Sequence, residues 1–174
     1  YQSCSTFAGN HYLIDLDMLI GEGLLKQQEA DAVCWSWDEE RVDYGCLYNN
    51  RSKLLHLAYE RFTSDAAFEK FVTDNTDWLE DYALFMALKE ENGGRPWYEW
   101  EDPLRLRDPE ALAAARERLK EGMGFCSFLQ FEFYEEWMQL KDYANRKGIR
   151  IIGDIPIYVS PDSSDVWADP ELFQ

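Results

Sequence analysis

The stretch that most constrains this chain is Ile149-Arg-Ile-Ile-Gly-Asp-Ile-Pro-Ile-Tyr-Val159, followed by Ser160-Pro-Asp-Ser-Ser-Asp-Val-Trp167. Ile151, Ile152, Ile155, Ile157 and Val159 make a nearly continuous, β-branched apolar run, the pattern of a strand buried on both faces of a parallel sheet. Gly148 closes the helix-like segment before it, so the local order is helix, turn, strand. One carboxylate, Asp154, interrupts the run. Burying it unpaired would cost on the order of several kcal/mol, so it needs either a partner or an open sheet end. Pro156 has no amide hydrogen for a ladder, and pairing should fail just after Asp154. That places Asp154 at the carboxyl end of its strand, where parallel α/β folds keep their chemistry. The alternative is a carboxylate that caps a loop or pairs with a buried arginine; spacing alone leaves both open.

A strand buried on both faces needs neighbours, and no second segment of the 174 residues reads as one. With a start at Tyr1 and no initiating Met, the expectation is a piece of a larger α/β protein. The 17 basic against 34 acidic side chains give a net charge of −17, which opposes phosphate backbones and anionic membrane surfaces. No nucleic-acid partner is expected, and no apolar run approaches the roughly 20 residues that span a bilayer. The aromatic share of 16% is high. Most rings should be core, but rings with a polar edge also suit carbohydrate, whose C–H faces stack while its hydroxyls hydrogen-bond. Cys4, Cys34, Cys46 and Cys126 lack metal spacing and are expected as reduced, mostly buried thiols. His11 and His56 are too few for a histidine-based metal site.

Along the chain, Tyr1 to Asn10 is small, polar and aperiodic, a loop. His11 to Leu16 reads as a short extended piece, and Met18 to Glu22 as a short helix capped by Asp17 and stopped at Gly23. Residues 26–40 show no assignable period. Helical spacing returns after Asp43, through Tyr44, Leu47, Tyr48, Leu54, Leu55, Ala58 and Phe62. Asp65 to Thr73 fits a short helix with Phe68, Phe71 and Val72 inward. Asp77 to Asn92 is apolar over so wide an arc that it should be buried, and Gly93-Gly94 ends it. Arg95 to Leu106 reads as turns. Asp108-Pro109-Glu110 is a helix start, and one long helix, or two joined near Gly122 and Gly124, runs to Lys147.

Several of these stretches resemble one family in order and spacing. Tyr1-Gln-Ser-Cys-Ser-Thr-Phe-Ala-Gly-Asn10 with Leu13-Ile-Asp-Leu16 resembles the SPYQSxSxFAGN signature of amylomaltases, the 4-α-glucanotransferases also called disproportionating enzymes. Arg41-Val-Asp-Tyr44, Trp78-Leu-Glu-Asp-Tyr-Ala-Leu-Phe-Met-Ala-Leu-Lys89, Ile151-Ile-Gly-Asp-Ile-Pro-Ile-Tyr-Val159 and Asp162-Ser-Ser-Asp-Val-Trp-Ala168 follow in the family's order. His11 departs from the family's usual Pro, and the family's Ser-Pro before Tyr1 lies outside the chain.

The resemblance implies a mostly helical fragment of a (β/α)8 TIM barrel of the α-amylase clan, with a barrel strand near 149–159. Residues 1–16 would be the active-site loop after the second barrel strand. Residues 17–107 would form a mainly helical insertion, and 108–174 a long helix, the strand and the loop after it. It implies transfer of α-1,4-glucan segments between maltooligosaccharides, with retention, in the cytoplasm and without metal or organic cofactor. The nucleophile and acid/base carboxylates of the family lie downstream of the matched segment. Three positions carry over. Tyr1 matches a tyrosine that stacks on the sugar at the cleavage point, and Asp154 a supporting carboxylate of the donor pocket. Tyr48 matches a tyrosine of a secondary glucan groove, its alternative being a core aromatic on a helix face. The rival readings are a retaining α-glucan hydrolase of the same clan and an acidic helical interaction module without chemistry.

Overall fold

The structure, a computed structural model, describes residues 3–36, 40–154 and 158–173. The chain forms two compact units, one made of the leading segment to Gly9 with everything from Ala67 onward, the other of Asn10–Ala66.

In the Asn10–Ala66 unit, a 3-10 turn (His11–Leu13) precedes helices α1 (Leu16–Gly21), α2 (Gln27–Asp31) and α3 (Tyr44–Arg61). Each start has a local cause. The Asn10 side chain accepts from the Tyr12 amide, Asp15 from that of Asp17, and Asp43 from that of Cys46 at 2.9 Å. The cap of α1 is therefore Asp15, two residues before the Asp17 expected from sequence. The chain leaves α1 through Gly23, whose φ of +80° suits glycine. Ile14, Leu19, Leu25, Leu54, Leu55 and Ala58 are buried. Two arginines of α3 tie down the earlier turns: Arg51 donates to the Ile14 carbonyl, and Arg61 to the Leu24 carbonyl and both oxygens of Glu29.

The other unit contains the body of α4 (Ala66–Asp74), then α5 (Leu79–Glu91), a 3-10 turn (Trp97–Glu99) and α6 (Asp102–Arg105). After them come α7 (Pro109–Arg118), α8 (Lys120–Arg146), α9 (Ser164–Ala168) and a last 3-10 turn (Pro170–Leu172). Helix α5 buries Leu79, Tyr82, Ala83, Leu84, Phe85, Ala87 and Leu88. Apolar on nearly all sides, it is the central helix, and α8 and α9 pack on it. Phe85, Trp100 and Trp167 meet with ring centroids 5.5–5.9 Å apart, each within range for aromatic pairs. The indole of Trp100 donates to the Arg95 carbonyl, and that of Trp167 to the Leu104 carbonyl. Arg107, in the left-handed region at φ +56°, lies 4.3 Å over the Trp167 ring and donates to both oxygens of Asp81.

Two expectations need correction. The long helical stretch breaks at Leu119, not at Gly122 or Gly124, which lie inside α8. Packing along α5 outweighs glycine's propensity cost of roughly 1 kcal/mol per residue. The larger correction concerns the strand over 149–159. Gly148, at φ +79°, ends α8 as expected, and the Ile149 amide returns to the Ala144 carbonyl. Residues 149–154 and 158–160 are then irregular, and no strand occurs among the described residues; 155–157 lie outside them. Ile149, Ile151, Ile152 and Tyr158 are 59%, 44%, 92% and 78% exposed. A strand is stable only with partners for its amides and faces, and among the described residues no such neighbour is seen for 150–154.

Candidate functional site

The loop at the head of the chain and the residues after the isoleucine run come together in the unit built on α5. The backbone carbonyl of Cys4 accepts from both the amide (2.8 Å) and the hydroxyl (3.0 Å) of Ser164. Asp165 takes the next residues: one oxygen accepts from the Ser5 hydroxyl at 3.2 Å and the other from the Thr6 amide at 2.7 Å. The Ser5 hydroxyl oxygen in turn accepts from the amides of Phe7 (3.1 Å) and Ala8 (3.4 Å), which curls the loop around a buried side chain. Further on, the Tyr134 hydroxyl donates to the Phe7 carbonyl, and the Phe7 ring stacks on Trp78 at 6.0 Å. At the loop's end, the Gly9 amide donates to Gln130 Oε1 at 2.7 Å and Gln130 Nε2 donates to the Gly9 carbonyl at 3.1 Å. An aperiodic, largely exposed segment is thus fixed by pairing its backbone groups with side chains around the buried Ser5.

The segment Asp162–Trp167 does this holding because it is itself anchored. Asp162 receives Lys89 Nζ at 2.5 Å and the Trp97 amide at 3.3 Å. Ser163, fully buried, caps α9 by accepting from the Val166 amide. Trp167, 1% exposed, plugs the core. Beside the clamp lies a cavity of ≈ 310 Å³ whose wall includes Phe7, Trp78, Asp81, Asp165 and Phe173.

Of the site residues expected from sequence, Tyr1 lies outside the described residues. Asp154 is exposed on irregular backbone, so the cost of burying its charge does not arise in this chain. Tyr48 is 68% exposed on α3, one turn after Tyr44 at 77%. It does not serve as a core aromatic: the buried stripe of α3 is Leu54, Leu55 and Ala58. Asp154 and Tyr48 belong to different units. The cysteines are free thiols. Cys34 is exposed, contrary to expectation, while burial pushes the Cys126 thiol up to about 12 and holds Cys4 above its ordinary range. Burial and then the Arg51 charge lower His11, favouring neutral imidazole.

Sequence reasoning missed Gln130, Tyr134, Ser164 and Lys89. Gln130 carried a signal: it is the uncharged polar side chain in Phe128-Leu-Gln-Phe131, where helical spacing puts every neighbour in the core.

With this geometry in view, comparison with known proteins identifies the kind of molecule. An amylomaltase from Streptococcus agalactiae, solved in complex with acarbose, has the same fold over 99% of this chain and 36% of its own, with a TM-score of 0.94 and 41% sequence identity. Residues 1–174 match the model of the 4-alpha-glucanotransferase family, and the chain belongs to that family. It is 45% identical to the 4-alpha-glucanotransferases of Clostridium butyricum, over 99% of this chain and 36% of the relative, and of Thermus thermophilus, over 99% and 35%. The chloroplastic/amyloplastic 4-alpha-glucanotransferase of Solanum tuberosum is 33% identical over 99% of this chain and 31% of its own length. The chain therefore spans about a third of the length of these relatives. No helix among the described residues is long and apolar enough to cross a membrane.

Proposed function

We propose that this segment supplies part of the donor-sugar site of a 4-α-glucanotransferase. In that reading the full-length protein cuts an α-1,4-glucan and passes the fragment to the 4-hydroxyl of an acceptor maltooligosaccharide in the cytoplasm. The nucleophile and acid/base, two carboxylates flanking the scissile bond, belong to parts of the protein outside this chain. The observation that carries the reading is the match to the amylomaltase–acarbose structure over 99% of the chain at 41% identity. The same likeness supports an oligosaccharide ligand, and a barrel in which 149–159 becomes a strand once its neighbours are present.

Within this reading the residues divide the work. Tyr1 stacks on the sugar at the cleavage point. Tyr48, exposed on α3, offers a ring face to longer glucans away from the catalytic centre. Asp154 sits at the end of its strand and supports the donor pocket, paired with a cation beside the nucleophile. There it helps stabilise the positively charged, oxocarbenium-like transition state. Asp162 and Asp165 have other duties, since their carboxylates are spent on Lys89 and the Trp97 amide, and on Ser5 and Thr6.

Asp154→Asn in the full-length protein tests this assignment, because it keeps the shape and removes the charge. Loss of one preorganised electrostatic group lowers kcat by about 10²-fold, with KM changing less because the interaction strengthens toward the transition state. A folded Asp154→Asn protein with undiminished kcat would return Asp154 to a structural role.

A further inference from the structure

We propose that Cys34 and Cys46 form an oxidative modification site, a thiol pair that a hydroperoxide converts reversibly to a disulfide within the Asn10–Ala66 unit. The proposal concerns thiol chemistry and is independent of the glucanotransferase reading. The four cysteines differ in their surroundings. Burial holds Cys4 above the ordinary thiol range and pushes Cys126 up to about 12, which leaves little reactive thiolate at either. Cys34 is exposed, and Cys46 is half-buried in the first turn of α3.

Asn50 brings the pair together. It follows Cys46 by one helical turn, which puts their Cβ atoms about 5–6 Å apart on one face of α3. The Asn50 side-chain amide donates to the Cys34 carbonyl at 2.9 Å, so the Cys34 backbone is seated on that face. The Ser36 hydroxyl donates to the Arg41 carbonyl at 2.9 Å, drawing the chain after Cys34 toward the start of α3. Charge on Cys34 also reaches Cys46: the Asp43 carboxylate as hydrogen-bond partner, then burial, then the charges of Asp43 and Cys34 raise the Cys46 thiol. A disulfide needs Cβ atoms about 3.5–4.5 Å apart. Cys34 lies on irregular backbone between α2 and α3, where closing that distance breaks no helix. Its thiol gives up a weak bond to the Ser36 carbonyl, 3.6 Å long.

The exposed Cys34 reacts first. Its thiolate attacks the hydroperoxide, the O–O bond breaks, and the products are Cys34 sulfenic acid and an alcohol, or water when the oxidant is hydrogen peroxide. The Cys46 sulfur then attacks the sulfenic sulfur. An S–S bond forms, the S–O bond breaks, and the departing hydroxide leaves as water with the Cys46 proton. Two thiols are oxidised and one peroxide is reduced. An external thiol reverses the change by exchange. Transient disulfides of this kind are the ones a reducing compartment carries.

The test treats the reduced full-length protein with hydrogen peroxide, denatures it, alkylates the remaining thiols and maps the tryptic peptides by mass spectrometry. Cleavage after Arg41 separates the two cysteines, so a bond between them joins two peptides. The Cys34 and Cys46 peptides appear joined, both escape alkylation, and dithiothreitol restores both, while Cys4 and Cys126 stay alkylated. Cys46→Ser stops the reaction one step earlier, with the Cys34 sulfenic acid trapped by dimedone. Cys34→Ser leaves Cys46 unoxidised. Because the wild-type peptide map needs no variant, a serine variant that fails to fold does not weaken the test. Three results overturn the proposal: Cys34 oxidised past sulfenic acid while Cys46 remains alkylated, a Cys34–Cys34 bond between two copies, or a Cys34 that resists peroxide in the folded protein.

Discussion

Two glycines show how much one Cβ decides. At Gly9 a methyl group would collide with the Phe133 ring, whereas at Gly122 it would stand 3.5 Å from the Cβ of Ala87, an ordinary contact. Gly122→Ala is expected to stabilise the chain by about 0.5–1 kcal/mol, the helix-propensity difference, and Gly9→Ala to destabilise it by about 1–3 kcal/mol through forced repacking. Urea midpoints of the two variants check this, and midpoints moving in the same direction would contradict it. A third residue, Glu29, makes a pH-dependent statement. Hydrogen bonds from Arg61, and then from the Lys26 amide, hold its carboxyl at about 2, well below the usual range. A depressed carboxyl adds stability that is fully present above its unfolded value, near 4.3, and disappears as pH falls toward about 2. The Asn10–Ala66 unit should hold steady above about pH 4.5 and loosen over that window, and Arg61→Leu should return Glu29 to the ordinary range. A Glu29 resonance titrating above pH 4 in the wild type would refute it. None of the three was legible in sequence: a glycine's obligation depends on what faces it, and the pairing of Glu29 with Arg61 spans 32 residues.

At the scale of elements, local rules read well where local chemistry decides. Asp43 and Asp108 cap α3 and α7, Pro109 opens α7, and Gly93, Gly94 and Gly148, all at positive φ, end α5 and α8. The Lys26–Glu40 stretch gave no period, yet α2 forms there. Its Glu29 receives the Lys26 amide and the Arg61 guanidinium, which hydrophobic periodicity cannot register. The strand failed for the opposite reason. Its isoleucines carry the pattern of burial in a sheet, but no strand occurs among the described residues, and Ile152 faces solvent. In the isolated chain, amides of 150–154 should exchange orders of magnitude faster than those of Leu84–Leu88 in α5 or Phe128–Gln130 in α8. Uniformly slow exchange across 150–154 in a monomer would contradict this.

For the whole molecule, the motifs that mark the family turn out to be mostly scaffold. Cys4 to Gly9, Asp162 to Trp167 and the α5 stretch from Trp78 to Lys89 spend their polar groups on one another and on Gln130 of α8, and their rings on two core clusters. The sequence made the family legible because such interlocked residues cannot change singly without leaving a buried group unsatisfied. The chemistry was less legible, since Asp154 lies exposed on irregular backbone and Tyr48 belongs to the other unit. The claim that this scaffold serves glucan transfer is tested most directly by incubating maltotriose with the full-length protein and, separately, with the 174-residue chain, and resolving the products by length. The full-length protein should yield glucose together with maltooligosaccharides longer than the substrate, and the isolated chain nothing. Glucose and maltose alone from the full-length protein, or longer products from the isolated chain, would contradict the account.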